Sequence, residues 1–141
     1  MFFGEFEYKI DEKGRVPIPP KFRNELRGGI ILLPGVEKCI TAYPETEWKK
    51  LATTITTGSI APAKLRRLHR ALFATAFRME VDGHGRVAVP APLRQYAGIQ
   101  DEVVIAGANN YFEFWNAEQW QAEKATSQEQ IWQIIESLER Q

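Results

Sequence analysis

The sequence contains the stretch "DEKGRVPIP" at residues 11–19 and a close copy, "DGHGRVAVP", at residues 82–90. The copies share Asp, Gly, Arg, Val and Pro at matching positions. Asp-x-x-Gly is typical of a tight turn in which the aspartate accepts backbone hydrogen bonds and the glycine takes a positive φ. A chain of 141 residues therefore carries the same turn twice, which predicts a duplicated fold.

The match extends to both sides of the turns, so each repeat is about half the chain. Apolar residues alternate with a period of two before each turn, which predicts a strand there. We expect a second short strand after each turn, a short helix begun by proline, two apolar strands and a final helix. The predicted strands cover residues 5–10, 15–18, 30–33 and 39–43 in the first repeat, and 77–81, 86–89, 102–106 and 111–115 in the second. Pro44 and Asn116 are expected to begin the final helices.

Two helical segments lie outside this repeated pattern. Residues 59–76 predict a helix with a stripe of leucines (Leu65, Leu68 and Leu72) and two arginines on the opposite side. The tail after Trp120 carries four aliphatic residues at helical spacing: Ile131, Ile134, Ile135 and Leu138. The sequence therefore predicts a first repeat at 1–57, a linking helix at 58–75, a second repeat at 76–120 and a helical tail at 121–141.

Composition is that of an ordinary globular protein, with 44% hydrophobic and 26% charged residues. A single cysteine, Cys39, rules out a disulfide framework and a zinc site of four cysteines within one chain. We expect no signal peptide, membrane span, cofactor, metal or small-molecule substrate, and we expect the protein in the cytoplasm.

The formal net charge is zero, but the charges are unevenly distributed along the chain. Residues 64–94 hold seven basic side chains against Glu80 and Asp82, a net charge of +5. Residues 113–141 hold six glutamates against Lys124 and Arg140, a net charge of −4. A neutral total can therefore hide a basic face and an acidic tail.

The arginine that follows each glycine is the part of the motif that turn geometry leaves unexplained. Four residues have a sufficient structural role in shaping the turns: Asp11, Gly14, Asp82 and Gly85. Arg15 and Arg86 could form exposed ion pairs with the aspartates, each worth about 0–1 kcal/mol. Alternatively, they could bind an anion together with Lys13 and His84, because a guanidinium can grip a phosphate or read a guanine edge.

The sequence resembles the MraZ family, whose wider fold is the AbrB-like (SpoVT-AbrB) swapped-hairpin barrel. "DEKGRVPIP" is similar to the AbrB-type turn, and "YPETEW", "LRRLHRALF", "DGHGR" and "FEFW" follow in the family's order. The resemblance covers about residues 1–120. It implies an α+β fold in which two tandem repeats pack as an intrachain pseudo-dimeric swapped-hairpin barrel with peripheral helices.

The same resemblance implies what the protein does. DNA would be bound at the hairpin tips, through Lys13, Arg15, His84 and Arg86, by a ring-shaped homo-oligomer associated with the nucleoid. The regulator would act at promoter direct repeats of its own division and cell-wall gene cluster. His84 gives the second tip a weaker charge than Lys13 gives the first.

An enzyme is the first alternative to a DNA-binding protein. Its candidate catalytic groups would be Asp11, Asp82, His69, His84 and Cys39. Both aspartates already have a structural role in their turns. His69 lies among arginines on a predicted helix, and Cys39 is expected to be a buried, inert thiol. The sequence also lacks a phosphate-binding or dinucleotide motif. We therefore expect no enzyme.

An AbrB-type antitoxin, or an assembly module without DNA binding, is the second competing class. Trp48, Trp120 and Trp132 could anchor a protein interface, although we favour core packing for all three. Antitoxins of this type usually carry a single hairpin unit with a disordered tail, whereas this chain has two units. Titration with DNA and capture of a toxin separate these alternatives.

Overall fold

The computed structural model describes residues 1–140 as a mixed α+β fold, which confirms the predicted class. The strands in this range are β1 (Glu5–Lys9), β2 (Arg15–Pro17), β3 (Ile30–Pro34), β4 (Ile40–Pro44), β5 (Phe77–Met79), β6 (Arg86–Ala88), β7 (Glu102–Gly107) and β8 (Phe112–Asn116). The helices are α1 (Pro20–Arg23), α2 (Glu45–Thr57), α3 (Pro62–His69), α4 (Ala91–Ala97) and α5 (Ala117–Glu139). A turn of 3-10 helix (Asn24–Leu26) extends α1, and a turn of π-helix (Arg70–Ala74) extends α3.

The strands of the two repeats are interleaved in the sheets. Six antiparallel strands form one sheet in the order β1-β7-β8-β4-β3-β5, and β2 pairs with β6 in a separate two-stranded sheet. The first strand of each repeat therefore lies beside the other repeat: β1 pairs with β7, and β5 pairs with β3. Each repeat completes the sheet of its counterpart.

This arrangement corrects one part of the predicted fold, the closed barrel. β1 and β2 flank the first turn, yet each pairs with a strand of the second repeat. Glycines with a φ near +77° redirect the chain at both turns, so the strand that follows leaves the six-stranded sheet. Within residues 1–140 the strands form two separate sheets rather than one closed barrel.

The main core lies between the six-stranded sheet and the β2–β6 ribbon. Matching positions of the repeats meet there, including Val16 with Val87 and Ile18 with Val89, all of them buried. A cluster of aromatic rings fills the centre: the Phe112 ring lies 5.1 Å from that of Phe2, 5.3 Å from Phe22 and 5.6 Å from Phe114. The alternating apolar residues of β1 and β5 pack against this core from the edges.

The helix starts agree with the sequence. Pro44 precedes α2, and the Asn116 side chain caps α5 by accepting hydrogen bonds from the backbone N–H groups of Glu118 and Gln119. α5 then runs without interruption through position 120, where we placed the end of the second repeat. Gln141 of the predicted tail lies outside the described residues. Within the described chain, no helix combines the length and the apolar character that crossing a membrane requires.

The tryptophans have different environments. Trp48 packs against Tyr43 and Phe73, and Trp120 packs against Trp115, so both are partly buried. Trp132 is 70% exposed. Core packing was therefore the wrong interpretation for Trp132, because most of its ring is in contact with solvent.

We predict that Phe112→Ala lowers the free energy of unfolding by about 3–5 kcal/mol, because the truncation leaves a cavity among rings that cannot collapse into it. Urea denaturation followed by circular dichroism measures the change. Val36→Ala is the control, since Val36 is 92% exposed and should change stability by less than about 0.5 kcal/mol. Equal effects of the two substitutions would contradict this location of the core.

Candidate nucleic-acid interface

The first turn, residues 11–15, is held together by Asp11. One carboxylate oxygen, Oδ1, accepts hydrogen bonds from the backbone N–H groups of Lys13 and Arg15, both at 2.9 Å. The other, Oδ2, accepts from Nε of Arg15 at 2.6 Å. Gly14 has a φ of +77° and donates its N–H to the carbonyl of Asp11. The aspartate therefore fixes both the turn and the arginine that follows it.

The second turn, residues 82–86, repeats this arrangement. Asp82 Oδ1 accepts from the backbone N–H groups of His84 and Arg86 at 2.9 Å, and Oδ2 accepts from Nε of Arg86 at 3.2 Å. Gly85 has a φ of +76°. The sequence prediction that Asp and Gly shape both turns agrees with this geometry.

The two turns lie side by side because each is bound to the strand that follows the other. Ile18 donates its N–H to the carbonyl of Gly85, and Val89 donates its N–H to the carbonyl of Gly14, both at 2.8 Å. Nη1 of Arg86 consequently lies 3.9 Å from Oδ2 of Asp11. All eight predicted site residues are thus brought to one end of the molecule.

Arg23 and Arg94 are parts of this site that the sequence analysis missed. Nε of Arg23 donates to the carbonyl of Ile18 at 2.9 Å, and its guanidinium covers Gly85 of the opposite repeat. In the same way, Nε of Arg94 donates to the carbonyl of Val89 at 3.0 Å, and the Arg94 guanidinium covers Gly14. These two arginines occupy matching positions in the aligned repeats, and that match was the signal available in the sequence.

The ion pairs between the arginines and the aspartates of the same turn are present, and each is made through Nε of the arginine. Nε is the atom of Arg15 that binds Asp11, and across residues 1–140 neither Nη atom of Arg15 makes a protein hydrogen bond. The side chains of Arg15 and Arg86 are 30% and 28% exposed. The outer end of the Arg15 fork therefore remains available to an anion or a base edge. In Arg86, Nη1 also lies within ion-pair distance of Asp11, which leaves Nη2 as the available end.

Hydrogen bonds lower the pKa of both turn aspartates. The backbone N–H of Arg15 has the largest effect on the pKa of Asp11, and the backbone N–H of Arg86 on that of Asp82. Both carboxylates are therefore ionised at neutral pH. The two turns (residues 11–15 and 82–86) and the arginines that cover them, Arg23 and Arg94, carry five cationic side chains against Asp11, Glu12 and Asp82, a net charge of +2 with His84 counted as neutral.

The other candidate groups lie elsewhere. His69 is exposed on α3 and stacks edge-on against Phe73. Cys39 is buried, as expected, and its Sγ lies 3.5 Å from Oε2 of Glu113, with Glu37 close by. Burial raises the pKa of the Cys39 thiol and of the Glu113 carboxyl, because the charged form of each group is poorly solvated there.

The fold and the paired turns define a class of α+β proteins in which one chain carries two interlocked copies of the same unit. The sequence profile of the MraZ family, described as MraZ protein and antitoxin-like, matches residues 1–70 and 72–137. Because the match covers nearly all of the sequence, the chain belongs to the MraZ family. The resemblance seen in the sequence is confirmed.

Curated relatives support this assignment. A protein of Dehalococcoides mccartyi is 60% identical over 140 residues, which cover 99% of each chain. A Roseiflexus protein is 40% identical over 121 residues, covering 86% of this chain and 85% of its own length. A Frankia alni protein is 36% identical over 138 residues, covering 98% and 96%. Each is named transcriptional regulator MraZ, which agrees with our expectation of a family without enzymatic activity.

We predict that Gly85→Ala destabilises the protein by about 1–2 kcal/mol, because alanine resists the positive φ at this position. Its Cβ would also overlap the Arg23 guanidinium. Gly83→Ala is a matched control within the same turn, since a Cβ at Gly83 meets nothing within 4 Å. Thermal unfolding compares the two variants, and equal melting temperatures would contradict the role assigned to Gly85.

We also predict that the two aspartates stabilise the fold in a pH-dependent way. A carboxyl whose pKa is lowered on folding contributes stability above its unfolded pKa, about 3.9 for aspartate. That contribution is lost as the pH falls through the lower folded pKa. The Asp11→Asn/Asp82→Asn variant should therefore be less stable than the parent at neutral pH and approach it as the pH falls below about 3.9. A stability difference that is independent of pH would refute this prediction.

Proposed function

We propose that this protein is a transcriptional regulator that binds specific duplex DNA sequences through its two turns. The observation that carries the proposal is the adjacent pair of equivalent turns, each with an arginine oriented by an aspartate. Relatives named as transcriptional regulators support the same conclusion. Arg15 and Arg86 are the main DNA contacts, and Lys13 and His84 contact the duplex beside them.

The chemistry of the arginines suits this role. Arg15, whose Nε is already bound to Asp11, keeps both Nη groups for a bidentate contact with O6 and N7 of guanine, or with a phosphate. Arg86 keeps Nη2 for such a contact, because its Nη1 also lies near Asp11. Asp11 and Asp82 hold the forks in place before DNA arrives, which reduces the entropy lost on binding. Arg23 and Arg94 add positive charge beside the turns, which attracts the phosphate backbone.

The wider function follows from the family resemblance. In this proposal the repeats at residues 1–57 and 76–120 act as a swapped pair of DNA-reading units, joined by residues 58–75 and followed by the segment 121–141. Copies of the chain assemble into a ring that is associated with the nucleoid in the cytoplasm. The ring binds direct repeats in the promoter of the division and cell-wall gene cluster that holds the regulator's own gene.

We predict that Arg15→Ala abolishes tight DNA binding but leaves the fold intact. One lost bidentate contact costs about 1–3 kcal/mol. An oligomer loses that contact in every engaged copy, so the affinity should fall by several powers of ten. Fluorescence anisotropy with the protein's own promoter measures the loss, and thermal unfolding together with light scattering verifies fold and oligomer size.

Two further variants complete this experiment. Arg86→Ala should weaken binding in the same way, and to a smaller extent if the turn with His84 contributes less. Lys50→Ala is a control on α2, where Lys50 is exposed and its partner is Glu47. A folded Arg15→Ala protein that binds the promoter as tightly as the parent would show that the ion pair with Asp11 is the whole role of this arginine.

The antitoxin-like description of the family supports a second candidate, a DNA-binding antitoxin. Such a protein would also hold a toxin partner in a stable complex. Purification of the tagged protein from its own organism, followed by mass spectrometry, tests this alternative. Recovery of one stoichiometric partner encoded beside the gene would favour the antitoxin, whereas recovery of the chain alone would favour the regulator.

A further inference from the structure

A group of polar side chains lies on the outer face of the six-stranded sheet, where β4 meets β8. Side chains alternate along a strand, so Cys39 and Thr41 lie on the opposite face from Ile40, which belongs to the main core. Thr41 and Glu113 are directly opposite one another in the antiparallel register of β4 and β8. Glu37 lies beside them in the turn between β3 and β4. We call these four residues, Glu37, Cys39, Thr41 and Glu113, the thiol–carboxylate cluster.

The spacing of three of these side chains suits a small metal ion. Sγ of Cys39 and one carboxylate oxygen each of Glu37 and Glu113 all lie within 4.8 Å of one another, and Sγ is 3.5 Å from Oε2 of Glu113. A tetrahedral zinc site, with Zn–S of about 2.3 Å and Zn–O of about 2.0–2.2 Å, places its ligand atoms roughly 3.4–3.6 Å apart. The pair of Cys39 and Glu113 already has this spacing. Glu37 is exposed, so its side chain is free to close the remaining distance.

The carboxylates around the cluster have no cationic partner. Within residues 1–140, none of Glu37, Glu113 and Glu123 forms an ion pair with a basic side chain. Burial raises the pKa of Glu113, and the negative charges of Glu37 and Glu123 raise it further. Buried charges in proteins are paired or coordinate metals. This part of the sheet therefore attracts a cation.

Thr41 provides an independent indication of a ligand. Its side chain is 9% exposed, and across the described residues its hydroxyl makes no hydrogen bond with a protein group. A Cβ on Gly35 would come within 2.5 Å of Cys39 Sγ and 2.9 Å of Thr41 Oγ1, so the thiol and the hydroxyl border the same space above this glycine. Buried polar groups normally have a partner. The unpaired hydroxyl is therefore directed into the cluster and can bind a further polar group there.

Neighbouring hydrogen bonds hold the cluster in place. Trp115 Nε1 donates to Oε1 of Glu113 at 3.1 Å, which leaves Oε2 towards Cys39. Tyr96 donates its hydroxyl to the carbonyl of Gly35 at 2.6 Å and so fixes the turn that carries Glu37. Hydrogen bonds of this kind orient the ligands of metal sites in proteins.

We propose that the thiol–carboxylate cluster binds a divalent cation of the zinc class through Cys39 Sγ, Glu113 Oε2 and one carboxylate oxygen of Glu37. Water fills the fourth position beside the Thr41 hydroxyl. The thiol proton goes to solvent on binding, as at other cysteine sites. The thiolate selects Zn²⁺ against Mg²⁺ and Ca²⁺, which prefer ligands that are all oxygen.

The ion would join β4 of the first repeat to β8 of the second and so stabilise the interleaved sheet. This site goes beyond the proposed function and does not depend on DNA binding. The sequence analysis considered zinc sites rich in cysteine, and Glu113 lies 74 residues from Cys39, so spacing along the chain did not reveal the site.

Titration of the chelator-treated full chain with Zn²⁺ tests the site. Calorimetry should show one ion bound per chain, and the melting temperature should rise with Zn²⁺ concentration because the ion binds the folded state. Co²⁺ in place of Zn²⁺ should give the sulfur-to-metal charge-transfer absorption of a thiolate ligand. Cys39→Ser should abolish this absorption and raise the dissociation constant for Zn²⁺ more than about tenfold, since loss of even an outer-shell partner costs about 10–100-fold.

Glu37→Gln keeps the test decisive if Cys39→Ser does not fold. Glu37 is exposed, so the melting temperature without metal should stay that of the parent while the dissociation constant for Zn²⁺ rises more than about tenfold. Glu129→Gln, which removes the same charge from an exposed position on α5, is the matched control and should bind Zn²⁺ like the parent.

Two results would overturn the proposal. The first is a parent protein that binds no Zn²⁺, in which case Cys39 and Glu113 form a hydrogen-bonded pair only. The second is Zn²⁺ binding that survives Cys39→Ser and Glu37→Gln but is lost in His69→Ala/His84→Ala, which would place the ion at a histidine. Neither result affects the DNA titrations, so this proposal and the proposed function fail separately.

Discussion

Two backbone hydrogen bonds hold the two repeats together beside the Asp-x-x-Gly-Arg turns. They run from Ile18 to the carbonyl of Gly85 and from Val89 to the carbonyl of Gly14. Each carbonyl is presented by a glycine with a positive φ, a conformation that a side chain would disfavour. This exchange of hydrogen bonds between the repeats fixes the β2–β6 ribbon and the position of both turns. The buried valines of the ribbon depend on it as well. Neither repeat could form it alone.

The exchange explains why the site can be both exposed and rigid. The carboxylates of Asp11 and Asp82 bind turn backbone and arginine at the same time, so the orientation of each arginine follows from the turn. Arg23 and Arg94 then cover the glycines from the opposite repeat. The fork of Arg15 is thus supported by elements of both repeats, while its outer end faces solvent. A contact that reads DNA needs this combination, because loosely held side chains lose affinity to entropy.

Local features of the fold could be predicted from the sequence, whereas strand partners could not. The period of two in residues 6–10, the Asp-x-x-Gly turns and the cap at Asn116 depend on neighbouring residues, and they agree with the structure. β1 and β5 have nearly the same pattern, so nothing local determined which repeat each would join. The contact made by Arg23 could not be predicted for the same reason, because it covers Gly85, a glycine 62 residues further along the chain. The exposure of Trp132 was missed because helical spacing alone cannot show where the sheet beneath a helix ends.

The covalent duplication also allows the two halves of the site to differ. A dimer of identical single-repeat chains would present two identical turns and would match a palindromic site. Here the first turn contains Glu12 and Lys13, the second contains Gly83 and His84, and the distance from arginine Nε to aspartate Oδ2 is 2.6 Å in one and 3.2 Å in the other. In the proposed function, a pair of unequal turns would distinguish the two directions along a duplex. The target of one chain would then lack the two-fold symmetry that a dimer of identical repeats requires.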